Sequence, residues 1–288
     1  MRRRVSAPPW APVPPVAMPP GRIVLAADRG EMFVRDSGGA GPPVLLLHGW
    51  MFSADLNWFT MYGPLGEAGY RVVAVDHRGH GRGIRAAQEF RLLDCADDAA
   101  GVLRELGTGP VIAVGYSMGG PIACLLARRH PELVSGLVLC ATAAHWRSRR
   151  MRRVWRTMAA VRLVLGAFPN ATWRRGLRAA GFPDSPVTSW TASELTRGSA
   201  RDLAEAGREL SRYDGRPWLH RLSQPAAVVV TTGDTAVPPK MQRGLAGILR
   251  APVFEAPGDH GAVVANAARF EPALKAALTE VAGRIAPP

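Results

Sequence analysis

The sequence predicts an α/β fold: a mostly parallel, eight-stranded sheet with helices on both faces and a helical insertion late in the chain. Three observations carry this. Short apolar runs without polar alternation recur, as strands buried on both faces of a parallel sheet require. Longer stretches between them have helical spacing, and some are followed by glycine, where helices stop. The alternation breaks once, between Thr142 and Leu222, where the pattern is helical throughout.

The elements follow in order. Met1-Arg2-Arg3-Arg4 could open a secretory leader, but Ser6 to Gly21 holds seven prolines and no apolar centre. Residues 1–21 are read as a Pro-rich arm, disordered or extended. Residues 23–27 and 32–34 make an antiparallel hairpin that turns at Asp28-Arg29-Gly30. Buried strands are expected at 44–47, 72–75, 111–114, 137–139, 227–230 and 253–255. Helices are expected at 56–68, 93–106, 121–129, 241–249 and 267–284, with Gly69, Gly107 and Gly109 at helix stops. Residues 22–141 and 222–288 thus form the core, and 142–221 the insertion.

The 288 residues, 47% of them hydrophobic, suit one large domain. No run reaches the ~18 uninterrupted apolar residues of a membrane span. Cys95, Cys124 and Cys140 lack metal-like spacing and read as buried free thiols, which suits a reducing cytoplasm. The net charge of +13 is uneven, because residues 142–221 hold sixteen arginines against six carboxylates. Basic surfaces attract anionic lipid, acidic substrates or nucleic acid. No nucleic-acid module is recognisable, so no nucleic-acid partner is expected.

The chemistry centres on Gly115-Tyr116-Ser117-Met118-Gly119, a G-x-S-x-G between a buried strand and a helix. A serine there sits on a sharp turn with its hydroxyl pushed out above the sheet. It needs a base and an acid that orients the base. Asp234 ends the strand at 227–230, and His260 lies in a loop after the last strand. The position after the strand at 137–139 offers no rival, since no carboxylate appears before Asp184. Asp259, beside the base, is expected to point elsewhere. An oxyanion would need two donors. The backbone N–H of Met118, at a helix N-terminus, is one candidate, and the N–H of Trp50, after the strand at 44–47, is the other.

These residues together resemble the α/β-hydrolase fold family in its single-domain, capped bacterial form. His48-Gly49-Trp50 resembles the family's HG-x oxyanion loop. Asp76-His77-Arg78-Gly79-His80-Gly81 resembles its D-x-R-G-x-G loop, and Gly115 to Gly120 is a frequent form of its nucleophile elbow. Arg82-Gly83 replaces a serine often found after the second loop, a departure expected to matter little. The resemblance covers roughly residues 22–284 and is weakest in the middle. It implies that Ser117, Asp234 and His260 form a catalytic triad, that 142–221 is a cap over the serine, and that His48 is a brace. For the Asp76–His80 loop the expected role is folding. Met51, His145 and Trp146 are candidate pocket residues, as are Trp50 and Phe52. The spaced glycines Gly79, Gly81 and Gly83 lack the lysine and helix start of a phosphate loop.

The expected activity is hydrolysis of carboxylic esters, including lipid-derived acyl esters, with no metal or organic cofactor and a small-molecule ester as partner. The same triad serves C–C bond hydrolases and cofactor-free haloperoxidases or perhydrolases, and a non-catalytic small-ligand binding protein is the alternative of another class. Haloalkane dehalogenases and epoxide hydrolases of this family carry aspartate where this chain has Ser117. The first cap helix is expected over 149–165, with Met151, Val154, Trp155, Met158, Val161 and Leu165 on one face and Arg149, Arg152, Arg153 and Arg156 mostly off it. It reads as a lid helix packed on its own core with a solvated basic side. The alternative is a helix whose apolar stripe lies on anionic membrane, making the enzyme cytoplasmic but membrane-peripheral.

Overall fold

A computed structural model describes residues 13–147, 153, 155–179 and 181–285. The strands are β1 (Gly21–Ala26), β2 (Gly30–Asp36), β3 (Pro43–Leu47), β4 (Arg71–Val75), β5 (Val111–Tyr116), β6 (Val134–Cys140), β7 (Ala226–Thr231) and β8 (Val253–Ala256). They form one sheet in the order β1-β2-β4-β3-β5-β6-β7-β8. Strand β2 runs antiparallel to both neighbours, and every other pairing is parallel. The expected class and strand count are thus found.

The unalternating apolar runs have the predicted cause. Along β3, Leu45 and Leu47 enter one core while Val44 and Leu46 enter the other. The first core is closed by α2 (Leu92–Leu106), α3 (Gly119–Arg129) and a later helix at Pro239–Leu249. The second is closed by α1 (Ala54–Glu67) and the C-terminal helix Ala267–Gly283. Each fully buried leucine of such a strand contributes about 1.5–3 kcal/mol over leaving it in water. Helix α1 begins two residues before the predicted 56 because Ser53 caps it, its Oγ accepting from Leu56 N–H at 3.1 Å. Residues 1–12 of the Pro-rich arm lie outside the described residues. Nearer the sheet the arm is tied down: the Pro19 and Pro20 carbonyls accept bonds from Arg35 and Asp36.

The insertion is helical, as expected. It carries α4 (Met158–Ala167), α5 (Pro169–Ala179), α6 (Pro186–Leu195) and α7 (Ala200–Arg212). Pro169 and Pro186 sit in first turns, where a missing N–H costs nothing. An antiparallel bridge between His145 and Asp214 closes its neck. The expected helix over 149–165 is not continuous, because Thr157 is a turn residue between helical Trp155-Arg156 and α4. Arg149, Met151, Arg152 and Val154 lie outside the described residues. Of the predicted stripe, Trp155, Met158 and Leu165 are buried, while Arg153 and Arg156 are exposed. Trp155 and Met158 press on Gly207 of α7, where any Cβ would collide with both. Trp155, Met158 and Leu165, the buried described members of the stripe, are thus turned inward, as the reading of a packed lid helix requires.

Candidate active site

Strand β5 ends at Tyr116 and α3 starts at Gly119, so the chain must reverse within Ser117 and Met118. It does so by placing Ser117 in the left-handed region, at φ 52°. A non-glycine residue pays strain there and persists only where neighbours fix it. They do. Ser117 N–H donates to Cys140 C=O at 2.9 Å, and the Ser117 carbonyl accepts from Gly120 N–H at 3.0 Å and Thr142 Oγ1 at 2.7 Å. A Cβ at Gly119 would press into the Leu47 carbonyl, so glycine is what lets the helix start this close to β3.

The two other predicted residues meet this serine. His260 Nε2 lies 2.9 Å from Ser117 Oγ, and His260 Nδ1 lies 2.7 Å from Asp234 Oδ2. Asp234 is buried, and its carboxylate is saturated with donors. Oδ1 accepts from Ala236 and Val237 N–H, each at 2.8 Å; Oδ2 accepts from Thr231 Oγ1 at 2.9 Å and Gln242 Nε2 at 3.3 Å. The His260 loop is pinned by Tyr116, whose hydroxyl donates to the His260 carbonyl at 2.7 Å. Asp259 is exposed and accepts from Gly261 N–H, so it points away from the base. Thr142, Tyr116, Thr231 and Gln242 were not foreseen as supports. Thr142 and Tyr116 act across the fold, where no sequence signal marks them, whereas Thr231 lies only three residues from the carboxylate that it supports.

The oxyanion candidates sit beside this relay. Met118 follows Ser117 directly and is the N-cap of α3, at the positive end of the helix dipole. The turn after β3 is held by Asn57, whose Oδ1 accepts Gly49 N–H at 2.9 Å, and it carries Met51 at φ 70°. The Trp50 ring is committed to the cap: Nε1 donates to the Leu203 carbonyl at 2.7 Å, and the ring meets Trp155 edge-on at 5.1 Å. That leaves the backbone N–H as the group an oxyanion role would use. Phe52 packs against the cluster of Leu56, Trp190 and Leu195. Trp146 is buried in the core that Trp155 and Met158 share. His145 lies at the cap neck beside Asp214, where burial and the Arg216 guanidinium lower its pKa.

A family model described as alpha/beta hydrolase fold matches residues 42–266. The chain belongs to the α/β hydrolase fold family. A pimeloyl-[acyl-carrier protein] methyl ester esterase of Neisseria meningitidis is 30% identical to it over 205 residues, 69% of this chain and 77% of the esterase. A non-heme haloperoxidase of Rhodococcus erythropolis is 39% identical over 108 residues, 38% of this chain and 39% of that enzyme. The match thus spans well under half of the haloperoxidase. Among solved structures, the enol-lactonase from Burkholderia xenovorans LB400 aligns with a TM-score of 0.76 at 24% identity, over 91% of this chain and 100% of that one. That likeness is one of fold.

In this α/β hydrolase the loop after β4 is structural. Asp76 accepts from Ala54 N–H at 2.6 Å and from Arg82 N–H and Nε at 2.8 and 2.9 Å. Arg82 also bonds Asp55 at 2.8 Å, lies 3.8 Å from Glu194 of the cap, and stacks 3.8 Å above the Phe33 ring. The departure from the family's serine, expected to matter little, places a linchpin between core and cap. The predicted brace is present too, with His48 Nδ1 donating to Gly49 C=O at 2.8 Å and Nε2 accepting His77 N–H at 2.9 Å.

His77 and His80 both lie against His48 with tilted rings, and all three are buried. Burial lowers the pKa of all three from 6.5, that of His80 to about 3. Asp76 opposes the shift at His48 only in part. Below pH 6.5 the unfolded chain gains protons that the folded chain refuses. This contribution to stability is complete above that pH and falls as the pH drops toward the folded values. Each such histidine costs about 1.4 kcal/mol per pH unit across the window. We therefore expect the melting temperature to fall between pH 6.5 and 5, where carboxylates of the unfolded chain are still ionised, and to fall less steeply in His80→Gln. A flat profile there would show that the three are not held neutral.

Proposed function

We propose that this chain is a serine hydrolase of carboxylic esters that prefers medium or longer acyl chains, lipid-derived esters among them. One observation carries the reading: a buried serine in the left-handed region whose Oγ is 2.9 Å from His260 Nε2, with Asp234 2.7 Å behind the imidazole. His260 takes the proton from Ser117 as Oγ attacks the carbonyl. Asp234 fixes the tautomer that leaves Nε2 as acceptor and stabilises the imidazolium. The N–H groups of Met118 and Trp50 receive the oxyanion. His260 then protonates the leaving alkoxide, and water, activated by the same imidazole, releases the acid. Met51, His145 and Trp146 are assigned to the acyl pocket and its rim. The similarity to a methyl ester esterase over most of its length supports ester chemistry. The buried free thiols Cys95, Cys124 and Cys140 accord with the cytoplasmic location we assign.

The haloperoxidase similarity favours a second reading of the same site. Hydrogen peroxide in place of water would attack the acyl-enzyme, giving a peracid and regenerating the serine. A panel of p-nitrophenyl esters of increasing acyl length, with and without peroxide, separates the readings. The proposal expects hydrolysis that rises with chain length. Peracid as the main product would favour perhydrolysis, and ligand binding without turnover would make the chain a binding protein.

A further inference from the structure

Helix α4 has the composition of a covered helix but is covered on one side only. Its sequence, MAAVRLVLGA, contains a single charge, Arg162. Met158 and Leu165 face the cap core and are buried. The opposite side carries Ala159, Ala160, Leu163 and Val164 into solvent, and Phe168 follows at the helix end. Leu163 is 73% exposed, Phe168 68% and Val164 46%. A helix apolar all round is normally buried, and contiguous exposed apolar surface marks a contact. Across the next helix, Phe182 and Val187 are exposed as well. Among the described residues, these five exposed large hydrophobics lie on the segment that also carries the chain's excess of arginine.

Charge decides the occupant. Arg153, Arg156 and Arg162 are exposed before and within α4, and Arg175 and Arg178 on α5. A second copy docking cap to cap would bring two such surfaces together and meet like-charge repulsion. A lipid leaflet with anionic headgroups offers both complements at once: negative charge at the rim and hydrocarbon beneath. No helix among the described residues is long and apolar enough to cross a membrane, so the contact is one that lies in the interface. We propose that the outer face of α4 docks on anionic lipid surfaces, with Leu163, Val164 and Phe168 entering the acyl boundary and the flanking arginines at the headgroups. Just N-terminal to α4, Trp155 packs on Trp50, which joins the segment that carries the docked face to the turn after β3. The proposal rests on the ester-hydrolase reading only for its purpose, delivery of lipid esters to that serine; docking itself needs no turnover.

The test is sedimentation of the full chain with phosphatidylcholine vesicles containing roughly one-third phosphatidylglycerol. The chain should bind these at low salt, release as salt rises, and ignore pure phosphatidylcholine. Leu163→Gln with Phe168→Gln should weaken binding roughly tenfold or more, with melting temperature and soluble-ester turnover unchanged because both side chains already face water. Ser117→Ala should bind like the wild type. No binding at low salt, binding indifferent to lipid charge, or equal binding by the double variant would overturn the proposal. So would self-association of the wild type that the double variant loses, with no vesicle binding by either, since the face would then belong to a second copy. Vesicle binding by a chain that turns over no ester would sink the hydrolase reading and leave the docking face standing.

Discussion

Ser117→Ala should lose fluorophosphonate labelling altogether and lower ester kcat/KM by on the order of 10⁴ to 10⁶. The fall is this large because attack and proton transfer act as a unit, and neither has a substitute in the site. The protein should nonetheless fold. The bonds that hold residue 117 at φ 52° run through its backbone, to Cys140, Gly120 and Thr142, and alanine keeps all of them. A label on another peptide, or wild-type turnover in the variant, would remove Ser117 from the nucleophile's role.

The second large effect belongs to the carboxylate. Asp234→Asn should cut kcat by roughly 10⁴, as expected when the imidazole is left in the wrong tautomer. Here stability should fall as well. Asp234 accepts from two backbone N–H groups, the Thr231 hydroxyl, Gln242 and the imidazole. An amide NH₂ must face some of these donors and leave them unsatisfied, at a cost of about 1–3 kcal/mol. Asp259→Asn is the control, since that side chain is exposed and only caps Gly261. An inactive Asp259→Asn beside an active Asp234→Asn would mean that the acid has been misassigned.

The parts of this molecule that could be read from the sequence are those whose cause is local. A strand buried on both faces must be apolar at every position, so the parallel strands were visible as runs. A serine squeezed between strand and helix needs small residues around it, so the turn at Gly115–Gly119 was visible too. What could not be read depends on which surfaces meet. Nothing near Trp155 and Met158 says that their stripe faces Gly207, some fifty residues on. The break at Thr157 has no proline or glycine to announce it. Arg82 looked like a neutral departure because its partners Asp55, Phe33 and Glu194 are distant in sequence. Its nearest partner, Asp76, is six residues back, but only the structure shows that this carboxylate is buried.

That arginine bears on how the protein can be re-engineered. Inserted lids invite treatment as interchangeable parts, cut at the neck and replaced by another to change substrate range. Here the boundary between the two pieces is crossed by Ser53 donating to Glu194 at 2.7 Å, by Arg82 beside that carboxylate, and by Trp50 donating to Leu203. A foreign lid lacking an acid at the position of Glu194 would leave the Ser53 hydroxyl without its acceptor and take one of three carboxylates from around Arg82, beside the turn that carries Trp50. The graftable unit in this protein is the lid together with its sockets, and a chimera drawn at residues 142 and 221 alone cuts through the middle of it.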